Sequence, residues 1–523
     1  MSIGLRVLLL LPFLVGLTHA QQVPATRGQV LYRNDFESSN ALADWTGTGI
    51  IESGLNGGKA LAIEAPAGKR GSTVSRSLPA QGWQGCTVRG TAMIRAREVS
   101  AKPNAWNGIK LMLVLQSPRG ISYPQAPIET GSFDWRKASL RVLIPEDTTN
   151  VFLVLGLEEV AGKVWFDDLE FKVDKAPTPK PPPVLAGPVF KGHNLDRLRG
   201  AMVSPNIDAA GLKVLGRDWK ANLIRFQLIR SGRVGQTSTL ADYDQWLEGE
   251  LQKLDRALPR CEEYGLKVVV DLHSPPGGKA TQGGYMGSDA GLFQDPKAQE
   301  RFVQLWRDIA LRYKGAKAIW GYDIANEPVE EDVAEDCEDW QGLAERAARA
   351  IRSVDPERAI IVEPTGWGGP DGFKDLIPVP VSNVVYSVHM YVPHTFTHQG
   401  VFEQGPSWDY PGEIQGKLWN RAELERALQP VIDFQRRYRA HIYAGEFSAI
   451  RWAPNQSAER YLSEVIEIFE SHGWDWSYHA FREWQGWSVE HGELRAQTAP
   501  ADSSTRRQNL LREWFEKNQK PPR

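Results

Sequence analysis

Apolar residues recur along this chain in two rhythms. Over residues 28–173 they fall in short runs, among them "VLYRNDF", "KALAIEA", "CTVRGTAMIRA", "IKLMLVLQS", "KASLRVLIP", "VFLVLGLEE" and "KVWFDDLEF", divided by Gly, Asn, Ser and Pro. Several runs alternate apolar with polar, the period of a strand with one buried face, and no helical period interrupts them. An antiparallel β-sandwich is predicted there. From residue 189 to 523 strand-like and helix-like segments take turns. "RGAMVSP", "ANLIRFQLI", "VVVDLH", "IWGYDIANEP", "AIIVEPTG", "NVVYSVHMYVPH", "HIYAGEFSA" and "WDWSYHAF" read as eight strands. Amphipathic stretches such as Ala241–Tyr264 and "RFVQLWRDIALRYKG" lie between them. The fold class predicted is α/β: a (β/α)8 TIM barrel, whose site lies at the C-terminal strand ends, preceded by an all-β domain.

The segment between the two rhythms, "DKAPTPKPPPVLAGP" (174–188), holds six prolines and favours an extended, semi-rigid linker. A length of 523 residues agrees with more than one domain. The N-terminus "MSIGLRVLLLLPFLVGLTHAQQ" has Arg6, an apolar core from Val7 to Leu17, and small residues Thr18 and Ala20 before Gln21. That pattern is a secretory signal peptide over 1–20, with a membrane anchor as the alternative. A secreted chain, extracellular or periplasmic, without membrane contact after signal cleavage and monomeric, is expected. A net charge of −3 with no basic stripe argues against nucleic acid as a partner. Three distant cysteines, Cys86, Cys261 and Cys337, form neither a disulfide framework nor a metal-ligand spacing. Cys261 shares a helix face with Leu251, Leu254 and Leu258 and reads as packing. No metal and no cofactor is expected.

The chemistry concentrates where strands end. In "GYDIANEPVEED" (321–332) a buried-strand pattern stops on Asn326-Glu327-Pro328. Glu446 in "IYAGEFSA" ends the seventh strand, so both carboxylates face one end of the barrel although 119 residues separate them. Two carboxyls about 5–5.5 Å apart allow one to attack a glycosidic carbon while the other shuttles protons; roughly 6.5–9.5 Å leaves room for water and gives inversion. Sequence does not supply that distance. Arg225 on strand two, His273 after strand three, and His389 and Tyr391 on strand six fall at the same end. Asp271 reads as a buried hydrogen-bonding partner, and Glu363 as structural or substrate-contacting with equal weight.

These residues resemble glycoside hydrolase family 5 and the wider clan of retaining, cellulase-like barrel glycosidases, over roughly residues 199–490. In that family the acid/base glutamate follows an asparagine at the end of strand four, matched by Asn326-Glu327-Pro328. The nucleophile ends strand seven, matched by Gly445-Glu446-Phe447. The family's strand-two arginine, strand-three histidine, and strand-six histidine and tyrosine fall on Arg225, His273, His389 and Tyr391. The resemblance implies retention by double displacement, with Asn326 bonding the sugar 2-hydroxyl and with a polysaccharide or oligosaccharide as substrate. One departure stands out: the family's strand-eight tryptophan has no counterpart in "WDWSYHAFREWQGW", where His479 or Phe481 occupies the place. Trp484 or Trp487 substitutes from the following loop, and Trp484 is taken as a substrate-binding residue.

The sandwich more diffusely resembles jelly-roll carbohydrate-binding modules, with Trp106 and Trp135 as stacking or core residues and Asp167 and Asp168 as a weakly motivated cation site. The loop after strand six offers Trp408, Tyr410 and Trp419 either to sugar rings or to the barrel wall, while His394 and His398 lack a third metal ligand. The expected activity is cleavage of a β-glucan by a cellulase-like endoglucanase. The same mechanism on β-mannan, β-1,3-glucan or a chain-end glucoside is the alternative, and a non-catalytic glycan-binding protein is the rival of another class.

Overall fold

The computed structural model describes residues 25–68, 71–230, 239–278, 290–330, 332–402 and 405–521, so the predicted signal segment lies outside the described residues. The chain divides into two compact units, residues 1–179 and 180–523, with the division inside the Pro-rich segment.

In the first unit two antiparallel sheets enclose a core. One sheet joins Ile50–Ser53, Lys59–Ala65, Gly162–Lys175, Thr87–Val99 and Gly131–Leu143, with Val30–Asn34 on Gly162–Lys175. The other joins Thr46–Gly47, Gly71–Leu78, Asn150–Glu158, Gly108–Ser117 and Gly120–Ser122. Leu61, Ile63, Ile94, Val164 and Phe166 meet Leu111, Leu113, Leu153 and Leu155 between them. All seven apolar runs of the sequence are strands. The eighth long strand, "GSTVSRSL", was missed because only Val74 and Leu78 of its eight residues are buried. Trp106 is exposed, whereas Trp135 is half-buried on an outer sheet face, with the Arg95 guanidinium over both its ring and that of Trp165. The Asp167 carboxylate accepts the amides of Leu55 and Asp168 at 2.9 and 2.8 Å, which holds the turn.

The second unit is a closed barrel of eight parallel strands: Arg199–Val203, Leu223–Gln227, Lys267–Asp271, Ile319–Asp323, Ala359–Val362, Val384–Met390, Ile442–Phe447 and Asp475–Phe481. Several helices between strands start on side-chain caps. Asp339 accepts the Gly342 amide before Trp340–Arg352, and Thr239 with Asp242 closes a capping box before Leu240–Tyr264. On Trp340–Arg352 the buried residues Leu343, Ala344, Ala347, Ala348 and Ile351 recur at helical spacing, which presses that face on the barrel. Among the described residues no helix is long and apolar enough to cross a membrane.

Alternation along the strands fills the barrel in layers. Leu223, Val269, Ile361, Val385 and Tyr443 form an apolar layer with Trp320 near the N-terminal end. Two residues further on, Arg225, Asp271 and Glu363 form a polar layer, all fully buried. Next come His389, Glu446 and His479, at the rim. Below the apolar layer, His193 and His441 each hold Asp475 Oδ2, at 2.7 and 2.6 Å, and Asp475 Oδ1 accepts the Leu198 amide at 2.8 Å. Burial raises the Asp475 carboxyl, but the two imidazoles outweigh it and hold it well down. Tetrahedral zinc with ligands near 2.0–2.1 Å would spread its donors to about 3.3 Å, so these shorter separations are hydrogen bonds. Beyond the division, the Pro-rich segment is no free tether. Lys180 donates to the Lys374 carbonyl, and Arg437 and Arg439 donate to the carbonyls of Pro181 and Gly187.

Candidate active site

The rim residues surround a cavity of about 650 Å³. His273, Glu327, His389, Tyr391, Glu446, His479, Glu483, Trp484 and Trp487 all line it, so the residues expected from strands three, four, six and seven do converge. Arg225 and Asn326 lie directly beneath.

Glu327 reaches this place through strained backbone. Its φ is 45°, the left-handed region a non-glycine residue rarely occupies, and Pro328 follows, which further restricts the preceding residue. Three bonds hold the turn. The Asn326 amide donates to Leu272 O at 3.2 Å, the Glu327 amide to Glu363 Oε2 at 2.8 Å, and the Gly366 amide to Pro328 O at 3.0 Å. The polar end of this strand is therefore a fixed mount, not a solvated turn.

Glu446 is placed by a bulge. Val388 pairs with Ala444 but His389 pairs with Glu446, so Gly445 is the extra residue. A Cβ at Gly445 would meet Ser387 Oγ at 2.5 Å and His389 Nε2 at 2.9 Å; only glycine lets the two strands carry both side chains. Arg225 Nη1 lies 2.5 Å from Glu446 Oε1, and the Tyr391 hydroxyl donates to Oε2 at 2.9 Å. His479 Nδ1 is 3.3 Å from the same oxygen. Across the cavity, His389 Nδ1 contacts Glu327 Oε1 at 2.9 Å. One oxygen of Glu327 and one of Glu446 lie within 4.8 Å of each other and of a His389 nitrogen.

Electrostatics separate the groups. Burial alone would raise the Glu446 carboxyl, but His389, His479 and Arg225 outweigh it and hold it well below the carboxylate range. Burial would lower His389, and Glu363 and Glu446 reverse this and push it well up. Tyr391 is driven up by burial and by Glu446, so its hydroxyl keeps its proton. Beneath them the Arg225 guanidinium serves Asp323, Glu363, Asp271 and Glu446 within 3.1 Å. Burial pushes the Asp323 carboxyl well above its ordinary value, with Arg225 acting against it.

His273 accepts its place from Asp271, 3.0 Å from Nδ1, and its Nε2 meets the Asn326 amide group at 3.2 Å. Asn326 Oδ1 in turn accepts from Arg225 at 3.1 Å. Glu363, left open by sequence, is a fully buried support: it meets Arg225, His389 and the Glu327 amide. Trp484 is 37% exposed on the cavity wall, edge-on to Trp452 and Trp487. Tyr410 and Trp419 are buried in the barrel core and pin the long loop; they do not reach the cavity. His394 and His398 stack at 3.8 Å, and burial lowers both, His398 to about 3, so neutral rings form part of the wall. Sequence reasoning missed Trp367, Phe402 and Glu483 on the wall. Glu483 had a signal, an acid four residues after His479 just past a strand end.

The sequence profile of Cellulase (glycosyl hydrolase family 5) matches residues 188–483. Endoglucanase C of Acetivibrio thermocellus is 28% identical over 265 residues, 45% of this chain and 74% of that protein. Cellodextrinase A of Ruminococcus flavefaciens is 27% identical over 233 residues, 43% of this chain and 66% of that protein. A mutant form of Thermotoga maritima Cel5A, solved in complex with cellobiose substrate, matches with a TM-score of 0.46 at 24% identity, over 60% of this chain and 96% of that one.

Proposed function

The chain belongs to glycosyl hydrolase family 5 and is a glycoside hydrolase, and from that premise we propose that it cleaves a β-glucan internally by retaining double displacement. Glu446 is the nucleophile and Glu327 the acid/base. The observation that carries this reading is the approach of one Glu327 oxygen to one Glu446 oxygen within 4.8 Å, which favours the closer, retaining spacing over the wider, inverting one.

In the first step a Glu446 oxygen attacks the anomeric carbon while the bond to the leaving oxygen breaks and Glu327 gives that oxygen its proton. In the second, water attacks the same carbon, Glu327 takes the water's proton, and the bond to Glu446 breaks. Low proton affinity at Glu446, maintained by its cationic neighbours, suits an attacking carboxylate. Asn326, oriented by Arg225 and His273, is set to bond the sugar 2-hydroxyl. His389 orients Glu327, and Trp484 offers a face to a sugar ring.

The relatives named as endoglucanase and cellodextrinase support a β-glucan substrate. Export by the N-terminal segment, cleavage after Ala20, a monomeric state and glycan binding by the sandwich belong to the same proposal. Replacing Glu446 with Gln and assaying reducing-sugar release on cellulose, mixed-linkage glucan, mannan, xylan and laminarin tests it. The expected result is loss of turnover on a β-glucan; turnover near wild type removes Glu446 from the mechanism.

A further inference from the structure

His479 occupies the strand-eight position where an aromatic was expected, and it lies between the carboxylates of Glu446 and Glu483. Its Nδ1 is 2.5 Å from the Tyr391 hydroxyl oxygen and 3.3 Å from Glu446 Oε2. Its Nε2 is 3.4 Å from Glu483 Oε2, and Glu483 also accepts from Gln227 Nε2 at 2.7 Å. The indole of Trp487 lies 5.9 Å from the imidazole and closes one side.

Counting protons fixes the state of the ring. The single Tyr391 hydroxyl proton goes to Glu446, so the short contact between Tyr391 and His479 requires a proton on Nδ1. On the other edge Nε2 lies 3.4 Å from a carboxylate, an electrostatic contact without a hydrogen bond, and a lone pair there would be repelled. Both nitrogens therefore carry hydrogen, and the ring is a cation wedged between two carboxylates.

We propose that His479 is a positioning residue for the nucleophile: held by Glu483 on one edge, it keeps a positive charge beside Glu446 and fixes the Tyr391 hydroxyl that Glu446 accepts. This rests on Glu446 being the nucleophile. While Glu446 is esterified to the sugar it has no charge, and Glu483 then balances His479 alone. When water cleaves the ester, the returning carboxylate meets a cation already in place. The groups facing His479 are Glu446 on strand seven, Tyr391 after strand six, His398 on the strand-six loop, and Glu483 and Trp487 after strand eight. Those facing Glu446 are Arg225, His389, Tyr391 and His479. Burial would lower His479, but Glu446 and Glu483 carry it up to about 10, in agreement with the proton count.

The test is the pH profile of kcat/KM for the full chain and for H479Q, H479K, E483Q and E483D, with E446Q as control. H479Q removes the cation but keeps a donor, so Glu446 becomes easier to protonate. Its acid limb is expected to move up by about one pH unit, a tenfold loss at the acid end, with KM within about threefold of wild type. H479K keeps the limb in place. E483Q lowers kcat by about tenfold without raising the acid limb, and E483D recovers most of the loss. A merely structural role would lower activity at every pH and move no limb. An H479Q limb coincident with wild type overturns the proposal. An active E446Q overturns the double-displacement reading instead, so the two failures are distinct. Ring-15N histidine spectra of the wild-type chain read the protonation state directly. The His479 ring, assigned as the signal lost in H479Q, is expected to stay doubly protonated to at least about pH 8, and a neutral ring there overturns the proposal.

Discussion

Oε2 of Glu363 accepts the main-chain amide of Glu327 at 2.8 Å, so a carboxylate buried below the cavity fixes the strained turn that presents the Glu327 side chain. The same Glu363 meets Arg225 and His389 at 3.0 Å, which ties Glu327 and Glu446 to one support. E363A would leave a buried guanidinium, an imidazole and a main-chain amide short of a partner. It is expected to cost about 3 kcal/mol of stability and to lower kcat by roughly tenfold to a hundredfold through misplacement of Glu327. Thermal unfolding together with steady-state kinetics checks both.

In the proposed mechanism Glu327 acts on the leaving oxygen, so its importance depends on how much help that oxygen needs. E327A is expected to lose about 10² to 10⁴ in kcat on a glucan. It should lose far less on an aryl glucoside with a strongly acidic phenol. Equal losses on the two substrates would separate Glu327 from the leaving group.

Trp484 stands partly exposed on the wall, held edge-on between Trp452 and Trp487. W484A is expected to raise KM for oligosaccharides by about two- to tenfold, the range of one aromatic contact, with little change in melting temperature. Titration calorimetry with the inactive E446Q chain separates binding from turnover.

Much of this site could be read from the sequence because its chemistry sits at strand ends with short, polar punctuation. Asn326-Glu327-Pro328 and Gly445-Glu446-Phe447 mark two such ends, and the eight apolar runs place them at one mouth of the barrel. Contacts between distant strands were out of reach. Nothing in "VVVDLH" or "IIVEPTG" tells that Asp271 and Glu363 meet at one guanidinium, since that depends on barrel closure and register. The Gly445 bulge, which brings His389 beside Glu446, is invisible in a strand pattern of period two. His479 was legible only as the absence of an aromatic, and its charge follows from neighbours on three other segments. Tyr410 and Trp419 looked like sugar-stacking candidates because composition does not say which way a loop folds over.

At the opposite end of the barrel, Asp475 takes both His193 and His441 on one oxygen. Its depressed proton affinity means that its stabilising contribution is complete above the unfolded carboxyl value, near pH 4 to 5. The contribution is lost as pH falls through the lower folded value. D475N is therefore expected to cost about 3 kcal/mol near neutrality, as for a broken buried pair, and progressively less toward pH 3. Urea midpoints at pH 7 and pH 3.5 test the sign; a larger penalty at the acid end would reverse it.

The most direct measurement is the anomeric configuration of the first product, followed by proton NMR before mutarotation sets in. An oxygen of Glu327 and one of Glu446 lie within 4.8 Å of each other, nearer the spacing of retaining pairs than the roughly 6.5–9.5 Å of inverting ones, so the proposed mechanism releases the sugar with the configuration it had in the chain. A β-configured product is the predicted result, whereas an α-configured one would contradict the roles given to Glu327 and Glu446.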